Sequence, residues 1–326
     1  MPPLLRPDRM GIAAAALALR NGKLVVFPTE TVYGVGAHAL DAEAVRRIFD
    51  AKGRPADNPL IVHVADVAAA RALARSWPAA AETLARAFWP GPLTLVLPRA
   101  PGVPDVTTGG LDSVALRVPS HGVARMLLAA AGVPVAAPSA NRSGRPSPTR
   151  VEDALHDLGG AVECYLDGGP TDVGLESTVV GLLDAEPTIL RQGGLPREAI
   201  EAVVGPVRVA THGDVARAPG MKHRHYSPRA RLHVVDGPAD ALVTKLRAEG
   251  RRVAHVAGAE RGLSGPDARA PGRSDEPEAW ARQIFALMRD LDGAGYEDIV
   301  VEAIPERGVG AAVMDRLRRG AAREGD

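Results

Sequence analysis

The stretch from Asp8 to Gly36 reads DRMGIAAAALALRNGKLVVFPTETVYGVG, and its punctuation sets the architecture. Asp8 is placed to cap a helix, the alanine-rich run after it forms the body, and Asn21-Gly22 supplies a left-handed stop. Lys23-Leu-Val-Val-Phe27 then leads straight into a strand. Pro28-Thr-Glu-Thr-Val-Tyr-Gly-Val-Gly36 leaves that strand carrying hydroxyls and a carboxylate. Arg6, Arg9 and the apolar run to Leu19 superficially resemble a signal peptide, but a capped helix feeding a strand explains the same residues better.

The alternation continues to about residue 205. Strand candidates are Leu24 to Phe27, Leu60 to Val64, Leu93 to Leu97, Val114 to Val118, Val133 to Ala137, Cys164 to Asp167, Thr178 to Leu183 and Thr188 to Arg191. Helices fit near 9–20, 42–51, 66–75, 79–88, 121–131 and 150–158. Several strands follow one another without a helix between them, so the class is α/β with a twisted mixed sheet. Pro206, Pro219, Gly220 and Pro228 interrupt the pattern, which divides the chain into residues 1–206, a linker at 207–229 and a smaller unit at 230–326. That unit alternates Arg231 to Val235, a helix near 238–249, Arg252 to Val256, a helix near 277–292, Asp298 to Glu302 and a helix near 309–322, a Rossmann-like order. Residues 258–276 read as a surface loop.

With 326 residues and 46% hydrophobic content, the chain can bury about two domain cores. Lysine plus arginine equals aspartate plus glutamate at 39 each, so a polybasic nucleic-acid binder is excluded. Four Phe, four Tyr and three Trp, all scattered, are too few for a base-stacking platform. The single cysteine, Cys164, allows no internal disulfide and reads as a packed thiol in a reducing compartment. The longest apolar run falls well short of the roughly 20 residues that span a bilayer, so a soluble, cytoplasmic protein without membrane contact is expected.

Four segments could carry chemistry. Gly34-Val35-Gly36 lacks the third glycine of a dinucleotide fingerprint and reads as a tight turn. Lys52-Gly-Arg-Pro-Ala-Asp-Asn-Pro-Leu60 sets two cations beside a glycine between a helix and a strand, a loop able to offer charge to phosphate. Pro138-Ser-Ala-Asn-Arg-Ser-Gly-Arg-Pro-Ser-Pro-Thr149 crowds hydroxyls, an amide and arginines after a strand, and Gly174-Leu-Glu-Ser-Thr-Val179 leads into another. His63 lies inside a strand near the first two segments. Arg117 and Arg191 end apolar strands, where an unpaired guanidinium is costly, so each calls for an anion. Open α/β sheets bind ligands at strand ends. These segments converge on a cleft for a polyanion, with ATP in a non-Walker site the natural occupant. No metal-ligand cluster and no Ser-His-Asp order accompanies them.

Pro28-Thr-Glu-Thr-Val-Tyr-Gly, Lys52-Gly-Arg-Pro-Ala-Asp-Asn-Pro-Leu, Pro138-Ser-Ala-Asn-Arg-Ser-Gly and Glu176-Ser-Thr-Val resemble, in order, four signatures of the YrdC family, the threonylcarbamoyl-AMP synthases. Pro219-Gly-Met-Lys-His-Arg-His-Tyr-Ser-Pro228 is similar to the linker of its long two-domain branch, so the resemblance covers nearly the whole chain. It implies a YrdC-like fold and the conversion of L-threonine, bicarbonate and ATP with Mg²⁺ into threonylcarbamoyl-AMP and pyrophosphate. The product would pass to a tRNA threonylcarbamoyl transferase complex, and any direct tRNA contact would be weak. Thr31, His63, Arg117, Ala137 and Ser177 are implied for threonine. Lys52, Arg54, Asn58, Ser113, Ser139, Ser147, Arg191 and Tyr226 are implied for ATP, with Mg²⁺ carried by the nucleotide and no protein ligand or general base assigned. Two departures stand out: His223 replaces an aromatic hydroxyl residue and Val35 a leucine. The rival readings are a carbamoyl-adenylate former of the hydrogenase-maturation type, for which the zinc-finger cysteines are missing, and a tRNA or double-stranded RNA module. The latter would draw on 215–235, a stretch with no acid and five Lys or Arg.

Overall fold

Asp8 accepts the amide of Gly11 at 2.9 Å and starts the first helix, which stops where Gly22 takes a φ of +68°. The computed structural model describes residues 2–210 and 226–322. Its first unit begins with β1 (Leu4–Leu5), α1 (Arg9–Arg20), β2 (Val25–Phe27), β3 (Gly34–His38), α2 (Ala42–Lys52) and β4 (Ile61–His63). There follow α3 (Val67–Ala72), α4 (Ala79–Phe88), β5 (Leu93–Pro98), α5 (Asp105–Thr108), β6 (Ser113–Arg117), α6 (Gly122–Ala131) and β7 (Val135–Ala136). It closes with α7 (Val151–Leu158), β8 (Cys164–Leu166), β9 (Thr178–Gly181), β10 (Thr188–Arg191), α8 (Arg197–Val204) and β11 (Arg208–Val209).

The strands build one mixed sheet in the order β1-β8-β2-β3-β7-β4-β6-β5-β9-β10-β11. Its two faces bury different partners, as the alternation of side chains along a strand requires. Leu60, Val62, Leu95, Leu97, Val114 and Leu116 join the large core with α2 and α4. Ile61, Val96, Ala115, Val179 and Leu190 form a small apolar floor on the other face. On that side β4 and β6 run parallel with His63 opposite Arg117, so two residues far apart in sequence stand side by side.

The second unit holds β12 (Arg231–Val235), α9 (Asp240–Ala248), β13 (Val253–Val256), β14 (Ala268–Arg269), α10 (Pro277–Gly293), β15 (Asp298–Glu302) and α11 (Gly310–Ala321). Its parallel sheet runs β12-β15-β13-β14. Trp280, Ile284, Phe285, Met288 and Leu291 of α10 are buried against it, together with Val313 and Leu317 of α11. The same apolar cluster takes in Val32, Leu175 and Tyr226. The small unit is thus packed on two loops of the first one.

Three readings change. Gly34-Val35-Gly36 is not a tight turn but the start of β3, paired antiparallel with β2. The reversal falls earlier, where the Thr29 hydroxyl donates to the Val32 carbonyl at 2.7 Å. Glycine serves at position 36 because a Cβ there would lie 2.6 Å from Val135 and 2.8 Å from the Phe27 ring. The 258–276 loop contributes β14 to the second sheet. Arg208–Val209, inside the stretch read as linker, pairs in parallel with β10 at the sheet's far edge. Cys164 is buried in β8, and burial pushes its thiol up to about 11. Among the described residues no helix is long and apolar enough to cross a membrane.

Candidate active site

A cleft that encloses about 660 Å³ of non-atom space, open solvent included, lies over the floor of β4 and β6. Ile61 and His63 of β4 share its face by strand alternation, so the cleft spreads from the strand ends onto the sheet itself. The 28–33 and 138–149 loops roof it, laced by Tyr33 N to Pro148 O at 2.9 Å and Ala140 N to Tyr33 O at 2.8 Å. Of the residues implied for threonine, Thr31, His63, Arg117, Ala137 and Ser177 all line it, as do Arg54, Ser139, Ser147, Arg191 and Tyr226 from the ATP set.

At one end Arg117, 3% exposed, is paired with Glu30 at 2.7 Å. The protein itself supplies the anion that the sequence left open. Arg117 also donates to Thr31 Oγ1 at 2.9 Å and to the Gly91 carbonyl at 3.3 Å. Because the Thr29 proton goes to Val32, Thr31 must donate to Thr29 Oγ1 across 2.7 Å. Burial, the largest single influence, works to raise the Glu30 pKa, but the Arg117 charge and the hydrogen bonds from Arg117 and the backbone amides of Glu30 and Ser120 together outweigh it and hold the carboxylate below its ordinary range.

His63 packs edge-on to Phe27, and its Nδ1 has no partner among the described residues. Burial, helped by the Arg117 charge, pulls its pKa down to about 3. The imidazole is therefore neutral and offers a hydrogen bond without a charge. Unfolded, it binds a proton below about pH 6.5, whereas the fold refuses that proton until about pH 3. Its contribution to stability is complete above the unfolded value and declines as pH falls through that window. The native protein should lose more stability on acidification than His63→Gln, measured as urea midpoints. Parallel losses in the two proteins would contradict a neutral buried His63.

The other end is cationic, with Arg54, Arg145 and Arg191 on the lining. Burial pulls Arg54 down to about 10, and its Nε has no partner among the described residues. Arg191 donates to the Ser177 carbonyl at 2.8 Å and to Ser177 Oγ at 3.3 Å, while Ser177 Oγ and Thr94 Oγ1 stand 2.8 Å apart. Ser147 donates to Glu176, a buried cleft carboxylate.

Three implied residues fall outside the lining. Lys52, buried at the end of α2, donates its ammonium to the carbonyls of Ser139 and Asn141, and burial drives its pKa down. Asn58 is fully buried. Ser113 opens β6, at the opposite end of the strand from Arg117. Lys222, His223, Arg224 and His225 lie outside the described residues. Conversely, the pairing role of Glu30 and a contribution from Arg316 of α11 went unread. The one available signal for Arg316 is its place on the apolar stripe of a helix, beside Ala312, Val313, Leu317 and Gly320.

Fold and cleft together define a two-domain α/β protein whose site combines a buried arginine–carboxylate end with a cationic end. The chain belongs to the Sua5, YciO and YrdC family, whose model, described as "Telomere recombination", matches residues 17–193. A second model, "Threonylcarbamoyl-AMP synthase, C-terminal domain", matches 195–322. The threonylcarbamoyl-AMP synthase of Pyrococcus abyssi is 49% identical, over 96% of this chain and 95% of its own. That of Bacillus subtilis is 43% identical, over 95% and 92%. The crystal structure of P. abyssi Sua5 complexed with L-threonine superposes with a TM-score of 0.92 at 46% identity, covering 98% of this chain and 97% of that one.

Proposed function

We propose that this chain is an L-threonylcarbamoyladenylate synthase, a nucleotidyltransferase that converts L-threonine, bicarbonate and ATP into threonylcarbamoyl-AMP and pyrophosphate for the modification of tRNA beside the anticodon. One observation carries the reading: a single cleft joins the Arg117, Thr31 and His63 end to the Arg54 and Arg191 end, in a chain matching a relative solved with L-threonine over nearly its full length.

In this reading Arg117 takes the threonine carboxylate, and Glu30 with Gly91 holds the guanidinium in place. The hydroxyl meets Thr31, His63 or Ser177. ATP extends toward Ser147, Arg54 and Arg191, whose charges offset the negative charge that grows as the carbamate oxygen attacks the α-phosphorus and pyrophosphate leaves. Holding the reactants together contributes through positioning and the exclusion of water from a short-lived carbamate. Among the described residues no group of three His, Cys, Asp or Glu side chains is disposed to hold a metal ion. Glu30 and Glu176 are each committed to an arginine. Mg²⁺ would enter with the nucleotide phosphates. The product would go to a transferase acting on tRNA, in the cytoplasm.

Incubating the purified protein with ATP, bicarbonate and L-threonine should release pyrophosphate together with a threonine-dependent AMP conjugate. Pyrophosphate release that ignores threonine would refute the assignment. Serine lacks only a methyl, worth about 1–3 kcal/mol in a pocket, whereas valine leaves hydroxyl-reading groups unpaired. Valine should accordingly be the poorer substrate of the two, and turnover of valine equal to threonine would rule out a site that reads the hydroxyl.

A further inference from the structure

Arg316, a charged side chain of the second unit, stands directly behind the cleft's wall. Arg316 of α11 has no exposed surface. Its Nε donates to Glu176 Oε2 at 2.9 Å and one terminal nitrogen to the Gln192 carbonyl at 2.8 Å. The other terminal nitrogen pairs with Asp315, and the guanidinium carbon stands 5.0 Å from the centre of the Tyr226 ring. Tyr226 also stacks on Phe285 of α10 at 5.5 Å, and takes a φ of +66° that a tyrosine adopts only under constraint.

Glu176 is the reason this matters. It lines the end of the cleft that carries Arg54 and Arg191, accepts the Ser147 hydroxyl on its other oxygen, and is almost fully buried. An uncompensated carboxylate there would repel a polyphosphate and also suffer desolvation. We propose that Arg316 is a positioning residue for the nucleotide end of the cleft, contributed by the second unit: it compensates Glu176 and fixes Ser147, the Gln192 carbonyl and Tyr226 in the arrangement that admits a triphosphate. The proposal rests on the reading that the ATP phosphates occupy the arginine end. It gives the second unit a direct part in nucleotide binding, beyond tethering the chain that leads to it.

The groups facing Glu176 are Ser147 from the roof loop, Arg191 from β10, Tyr226, and Arg316 with Asp315 beside it from α11. The Arg316 charge is the larger of the two cationic influences that hold the carboxylate ionised. Without Arg316, Glu176 should take up a proton more readily, and the penalty on ATP should shrink in acid.

Arg316→Met keeps the length and apolar stem of the side chain in a helix. ATP and threonine affinities of the full chain, each measured separately by calorimetry, form the test. Near pH 8, Arg316→Met should lose about tenfold or more in ATP affinity and less than about threefold in threonine affinity. The ATP deficit, taken as a ratio to the native protein at each pH so that the nucleotide's own titration cancels, should narrow toward about pH 6. Adding Glu176→Gln to Arg316→Met should restore ATP binding to within about threefold of Glu176→Gln alone. Equal loss of both ligands, or a deficit that neither acid nor Glu176→Gln relieves, would overturn the proposal and leave Arg316 as interdomain packing. Should Arg316→Met fail to fold, Glu176→Gln alone decides. It keeps an acceptor for Ser147 and removes the charge, so ATP affinity should hold or rise, and a loss of about tenfold would overturn the proposal. Arg54→Ala checks the underlying reading separately: unchanged ATP affinity there would displace the triphosphate from this end, and the proposal with it.

Discussion

Arg117→Ala is expected to weaken threonine binding by about 2–5 kcal/mol while ATP affinity changes far less. Arg117 closes β6 among apolar neighbours and is braced on three sides, by Glu30, Thr31 and the Gly91 carbonyl. Truncation removes the carboxylate's partner and also leaves Glu30 buried without its cation, held by backbone amides such as that of Ser120, 3.1 Å away. The fold should suffer as well, since breaking one side of a buried ion pair costs about 3–5 kcal/mol. The double variant Glu30→Gln with Arg117→Met separates the effects. It should recover much of the stability, read from urea midpoints, and none of the threonine affinity, read by calorimetry. Threonine affinity returning along with stability would mean that Arg117 serves the fold and not the ligand.

The second large effect is expected far from any reacting atom. Gly174 has a φ of +78°, and a Cβ on it would lie 2.3 Å from the Ala281 carbonyl oxygen and 2.5 Å from the Arg282 Cα, both backbone atoms of α10. Neither neighbour can swing aside as a flexible side chain would. Gly174→Val should therefore destabilise the protein by about 2–5 kcal/mol, combining left-handed strain with overpacking. It should also impair synthesis, because Leu175 and Glu176 follow directly and both depend on the docked second unit. Gly250 is a matched control, with a φ of +79° and no atom within 4 Å of an added Cβ. Gly250→Val carries the strain alone, about 1–2 kcal/mol. If the two variants lose equal stability, the close approach of the two units at Gly174 is not a constraint.

Much of the architecture is legible from residue order. The caps of α1 and the apolar period of α10 mark their spans because helix starts, stops and buried stripes are local properties. Strands without intervening helices imply a mixed sheet. β3 escaped because its glycines resemble a turn, and their small size becomes a requirement only when Phe27 and Val135 are set against them. Of the two-residue strands, β1, β11 and β14 have no period to read and exist only through pairing with a neighbour.

The cleft divides the same way. Local sequence determines which segments carry hydroxyls, arginines and fixed turns, because composition and backbone punctuation travel with the chain. What those charges meet is decided by register and packing: His63 stands beside Arg117 through the parallel pairing of β4 with β6, Arg117 finds Glu30 across the fold, and Lys52 turns to backbone carbonyls. Arg316 lies 140 residues from the carboxylate it pairs with. In sequence it sits on the apolar stripe of α11 with charged residues on either side, and only the docking of α11 on the 174–177 loop brings it to Glu176 and removes water from both. Electrostatic partners act through space and through desolvation, which tertiary structure alone sets.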